Sequence, residues 1–128
     1  MHKSATTHTG TLGEDIACQF LSRKGFKIIA RNYRKPWGEI DIIAEKADVI
    51  RFIEVKSITV TTGDISRESS KYHPEEQIHP AKLRKIVRTA ELYMADRSDN
   101  QEFQIDAIGV LMDPVTRMAR CRFFEQVL

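Results

Sequence analysis

The chain has 128 residues, 41% hydrophobic and 30% charged, with six Gly and four Pro, a composition that fits one ordinary globular domain and excludes a fibrous or disordered chain. Twenty basic residues against 18 acidic ones leave a formal net charge of +2, so a nucleic-acid role would have to come from local clustering rather than from the overall field. The opening residues lack the apolar core of a secretory signal and no stretch approaches bilayer-spanning length, which predicts a cytoplasmic protein; Cys18 and Cys121 form no C-x-x-C pair and are expected to be buried free thiols.

Residues 1–10 read as a flexible polar leader and residues 11–128 as a single domain. Thr11-Leu12-Gly13-Glu14 has the T-x-x-E form of a capping box, followed by Ile16, Ala17, Phe20 and Leu21 at helical spacing. This predicts a first helix from about Leu12 to Lys24. Gly25 stands where a helix end favours positive φ. Phe26 to Tyr33 is rich in β-formers and reads as a strand, closed by the Pro and Gly of Arg34-Lys35-Pro36-Trp37-Gly38.

Glu39 to Glu45 alternates, with Ile40, Ile42 and Ala44 expected on one face and Glu39, Asp41 and Ile43 on the other. Lys46-Ala47-Asp48 turns into Val49 to Lys56, so the two strands should form an antiparallel hairpin. In the second strand Ile53 and Val55 oppose Phe52, Glu54 and Lys56. From Ser57 to Ile78 the chain is polar and without periodicity, long for a loop. Pro80 opens a second helix to about Asp96, with Leu83, Ile86, Val87, Ala90, Tyr93 and Met94 as its apolar stripe. Glu102 to Met112 reads as a strand, Asp113-Pro114 as a turn, and Arg117 to Val127 as a last strand. The order αβββαββ predicts an α/β (α+β) fold with helices packed on a mixed sheet.

The feature that could carry chemistry is Asp41 followed, on the next strand, by Glu54-Val55-Lys56. If the hairpin pairs about the turn at Lys46 to Asp48, Asp41 and Glu54 face each other about 5 Å apart at Cβ. Lys56 shares the face of Glu54. Two carboxylates that close repel unless a cation lies between them, and Mg²⁺ is the hard ion usual in phosphate chemistry. Lys56 could then orient or deprotonate an attacking water, or stabilise charge on the phosphate. The alternative is an exposed sheet face on which Lys56 pairs with one acid and nothing is catalysed. Against that, both acids interrupt apolar runs, Ile40 to Ile43 and Phe52-Ile53.

Together, Gly13-Glu14, Arg31-Asn32-Tyr33-Arg34, Gly38-Glu39-Ile40-Asp41-Ile42-Ile43, Phe52-Ile53-Glu54-Val55-Lys56, the helix through Lys82, and Ile105-Asp106-Ala107-Ile108 resemble the YraN-like uncharacterised protein family (UPF0102 type) over about residues 10 to 128. That family is grouped with restriction-endonuclease-like proteins and is similar in core to archaeal Holliday-junction resolvases. The resemblance implies a restriction-endonuclease-like αβββαβ core and a PD-(D/E)xK-type nuclease site. Asp41 and Glu54 would hold Mg²⁺ or Mn²⁺, Lys56 would be the catalytic lysine, and Glu14 would reach the same site from the first helix. DNA, branched or single-stranded, is the implied substrate, and a homodimer would suit the cutting of two strands. The polar loop departs from the family pattern, which has a short basic segment there, whereas this loop carries Asp64, Glu68, Glu75 and Glu76.

Glu14 has a competing assignment as the N3 acid of the capping box. Glu39 reads as a strand-end acid or a supporting group near Asp41, Gln77 as a polar residue near a metal, and Asp106 as either a partnered structural acid or a contributor to the site. Arg31, Arg34, Lys35, Lys82 and Lys85, with Arg84 and Arg88, could form a phosphate-facing surface, with Trp37 or Tyr33 available for stacking. His2, His8, His73 and His79 do not have zinc-site spacing. Two other functions stay open: a nucleic-acid-binding module that keeps the nuclease fold without turnover, and a protein-interaction domain whose acids are structural.

Overall fold

Five strands and two packed helices make up the architecture in the computed structural model, which describes residues 5–60, 78–97 and 100–128. Helix α1 spans Ala5–Arg23, strand β1 Lys27–Lys35, β2 Gly38–Lys46, β3 Val49–Thr59, helix α2 Pro80–Ala95, β4 Glu102–Asp113 and β5 Met118–Phe124. The order is the αβββαββ predicted, and the fold is α+β. The five strands lie in sequence order, with β3 and β4 parallel and the other neighbours antiparallel. Parallel pairing of β3 with β4 requires a crossover, which the segment holding α2 supplies. Among the described residues no helix is long and apolar enough to cross a membrane.

Among the described residues one helix packs on each face of the sheet. Ala17 and Leu21 of α1 pack with Ile42, Ala44, Ile53, Ile108 and Val110, all buried. On the other face Ile86 and Ala90 of α2 pack with Ile40, Ile43, Ile50, Phe52 and Ile105. Burial on both faces explains why β3 and β4 read as nearly continuous apolar runs. An acid placed within them is therefore costly unless partnered.

Several local expectations change. The first helix begins at Ala5, within the stretch read as a leader, so Thr11 and Glu14 lie inside it and do not form a capping box. Gly25, at φ +90°, does end the helix as expected, and its N–H donates to the Ser22 carbonyl. Ile40 does not share a face with Ile42 and Ala44: it packs with Ile43 toward α2. The alternation breaks beside Asn32, which takes a left-handed φ of +51° between the Arg31–Ile42 and Tyr33–Ile40 pairs. The turn after β2 is two residues, Ala47 and Asp48, both at positive φ, the backbone form that suits the right-handed twist of a hairpin. Pro80 stands at the start of α2 as predicted, and His79 caps it by accepting the Ala81 N–H at Nδ1. The final strand ends at Phe124 rather than Val127.

Candidate functional site

Asp41 and Glu54 meet where β2 leaves β3. The ladder runs from Lys46–Val49 to Ile42–Ile53, and the next position outward sets Asp41 opposite Glu54. Backbone pairing stops there and side chains take over. The Val55 N–H donates to Asp41 Oδ2 at 2.8 Å, and the charge of Asp41 acts on the Glu54 carboxyl. Glu54 is only 3% exposed, and Lys82 of α2 places Nζ 2.5 Å from its Oε1.

Two carboxyls set this near each other favour a proton or a cation between them. The electrostatics of the pair reflect this. Burial, then the charge of Asp41, pushes the Glu54 carboxyl up to about 7, although Lys82 and Lys56 both pull it down. Asp41 is also raised by burial, against the opposing Val55 N–H and Lys82. Desolvation thus exceeds what the lysines return, and near neutral pH the pair is poised between holding and losing a proton.

Glu14 approaches Asp41 from α1. Burial and the Asp41 charge raise its carboxyl, while a hydrogen bond with the Asn32 side chain and the Arg31 guanidinium lower it. Arg31 Nη2 lies 2.7 Å from Asp15 and 3.8 Å from Glu14. Freed from capping, Glu14 belongs to the surroundings of Asp41. Lys56 lies within the electrostatic reach of Glu54.

The basic residues separate into groups. Arg31 is committed to the α1 acids. Arg34, Lys35, Lys82 and Lys85 line a cleft of about 570 Å³ formed by the β1–β2 turn and the start of α2, which Trp37, Glu39 and His79 also line. Arg34 pairs there with Glu39, Nε to Oε2 at 3.2 Å. Glu39 is thus an exposed strand-end acid, though its charge is still felt by Asp41. Asp106 lies apart from this site as a structural acid: fully buried, it accepts from Arg51 Nη1 at 3.2 Å, Gln104 Nε2 at 2.8 Å and the Gln126 N–H at 2.8 Å.

Gln77, His2, His73 and the loop acids Asp64, Glu68, Glu75 and Glu76 lie outside the described residues. Among the described residues no group of three or more His, Cys, Asp or Glu side chains gathers as a metal cage. The donor set still suits Mg²⁺ or Mn²⁺, which bind through one or two carboxylates and keep several waters. Asp41 and Glu54 offer hard oxygens and share a position where positive charge is favoured. Cys18 and Cys121 are half-buried free thiols, and burial pushes Cys121 up to about 11, which leaves little nucleophilic thiolate.

Sequence reasoning missed three contributors. The ion pair of Lys82 with Glu54 joins residues 28 positions apart in different elements and has no local signature. The Val55 N–H is backbone and has none either. Asn32 did leave a signal, because Asn is among the few residues that tolerate the left-handed region.

Residues 13–110 match the sequence model of the uncharacterised protein family UPF0102. The chain is similar to a UPF0102 protein of Campylobacter jejuni, 42% identical over 106 residues that cover 83% of this chain and 86% of that protein. A UPF0102 protein of Helicobacter pylori is 39% identical over 101 residues, 79% of each chain. One from Fervidobacterium nodosum is 37% identical over 100 residues, 78% of this chain and 68% of that one. The matched span takes in Glu14, Asp41, Glu54, Lys56 and Lys82, and the chain belongs to the uncharacterised protein family UPF0102.

Proposed function

We propose that the protein is a Mg²⁺- or Mn²⁺-dependent phosphodiesterase acting on DNA, centred on Asp41 and Glu54. The observation that carries this reading is the facing pair of carboxyls where β2 leaves β3, Asp41 opposite Glu54, with Glu54 buried and Asp41 holding the Val55 N–H. Such a pair exchanges a proton for a cation as pH rises. The bound cation would supply Lewis-acid stabilisation of charge on the phosphate. Asp41 and Glu54 would be its ligands. Lys56 stands beside Glu54 to orient or deprotonate the attacking water, or to balance charge on the phosphate. Glu14 adds negative charge next to Asp41 and favours a cation there. Lys82 offsets the charge of Glu54, and with Arg34, Lys35 and Lys85 it gives the cleft cations for phosphate contacts.

One observation favours a second reading, a nucleic-acid-binding module without turnover: the Lys82–Glu54 contact already supplies Glu54 with a cation from the protein. Calorimetric titration of Mg²⁺ and Mn²⁺ into wild type and Asp41→Asn, followed by cleavage assays on branched, single-stranded and duplex DNA, separates the two. Metal uptake and cleavage lost together in the variant are expected. DNA binding that falls steeply with salt, with no metal uptake by the wild type, would sink the phosphodiesterase in favour of the binding module.

A further inference from the structure

The cleft beside the acids combines cations with an aromatic side chain on a fixed support. Arg34, Lys35, Lys82 and Lys85 line it against the single carboxylate of Glu39. At its rim the β1–β2 turn carries Trp37, the only tryptophan of the chain, 39% exposed. The turn is held against α2 at close range. A Cβ on Gly38 would come within 2.5 Å of Thr89 Oγ1 and 3.4 Å of the Lys85 carbonyl oxygen, and Thr89 Oγ1 donates to that same carbonyl at 2.7 Å. The indole is therefore presented by pinned backbone and loses little freedom when something packs on it.

We infer that this cleft is a subsite for an unpaired nucleotide of single-stranded DNA. The base stacks on Trp37, and the flanking phosphates meet Lys35 and Lys85. Stacking on an aromatic side chain requires a base that has left its own stack, so continuous duplex offers no occupant except at its ends. Charge excess in the cleft matches the phosphates of such a strand. Lys82 lines the cleft and contacts Glu54, so a strand anchored there carries its next phosphodiester toward the acids. The inference deepens the phosphodiesterase reading and relies on it for purpose, whereas the binding itself needs no metal.

The test is therefore made in EDTA. Oligothymidylate of about ten nucleotides, within the usual span of a single-stranded site, is titrated into the full chain while Trp37 emission is followed. Saturable quenching is expected, with blunt duplex of the same length giving much less. With a labelled oligothymidylate, Trp37→Ala should bind about tenfold more weakly and Trp37→Phe should recover most of the loss. Lys85→Ala should reduce the salt dependence by roughly one phosphate contact. Unchanged emission on binding, or equal affinity of Trp37→Ala confirmed as folded by circular dichroism, would overturn the subsite. Cleavage is assayed in parallel on duplex and single strands with metal present: a subsite that holds while Asp41→Asn leaves cleavage unchanged would remove the phosphodiesterase reading alone.

Discussion

Asp41 accepts the backbone N–H of Val55 at 2.8 Å, at the point where the two strands cease to pair. The same carboxyl therefore closes the sheet and faces Glu54. Asparagine keeps an oxygen for the Val55 N–H, whereas alanine leaves that part-buried donor unmet. Asp41→Ala should lose about 1–3 kcal/mol of stability, and Asp41→Asn should lose clearly less while abolishing metal binding. Urea denaturation of both variants checks this, and equal losses would mean that the contact with Val55 contributes nothing.

Stability should fall as pH rises from about 4.5 to about 7. Glu54 carries its proton to a higher pH when folded than when unfolded, so over that window the native state binds more protons than the unfolded state. Each pH increment then favours unfolding. The contribution is fully present below the unfolded value and lost as pH passes the folded one. Glu54→Gln should flatten this part of the curve, and denaturation midpoints measured across the window decide it. Divalent-metal affinity should run oppositely, strengthening as the proton leaves.

Lys82 lowers the Glu54 carboxyl through a hydrogen bond and through its charge. Lys82→Met keeps the apolar stem and removes both. Titration of the Glu54 carboxyl followed by carbon NMR should show a midpoint displaced further above neutrality. An unmoved midpoint would show that the ion pair exerts no net field in solution.

Gly38→Ala should cost about 1–3 kcal/mol, because the added methyl meets Thr89 Oγ1 and the Lys85 backbone of α2 with little room to yield. Combining it with Thr89→Ala, which removes the nearer atom, should cost less than the sum of the two single changes. A double-mutant cycle in urea reads the coupling, and strict additivity would place the strain elsewhere.

What the sequence made legible was whatever depends on local periodicity. Element order, the hairpin about Ala47 and Asp48, Pro80 at the start of α2, and the acids interrupting β2 and β3 all follow from spacing over a few residues. The T-x-x-E pattern at Thr11 misled because its geometry is the same whether a helix starts there or passes through, and α1 starts at Ala5. The face taken by Ile40 was hidden by the left-handed backbone at Asn32 in a neighbouring strand. Lys82 was expected near the site and among the phosphate contacts, but its pairing with Glu54 depends on how α2 packs over the sheet.

The parallel pairing of β3 with β4 also divides the molecule in time. Turns of a few residues join β1 to β2, β2 to β3 and β4 to β5, while β3 reaches β4 only across residues 60–101. The sheet is thus two locally closed pieces with one distant seam, and closing that seam carries the larger entropic cost. Asp41 and Glu54 belong to the first piece, and Lys82 arrives from the connecting segment. The acids can meet before their compensating cation is in place, so the early piece forms most easily while the pair still holds a proton. Refolding followed by stopped flow should therefore slow as pH rises through the range in which the pair loses its proton. A flat profile would mean that the lysine reaches the acids before they close on each other.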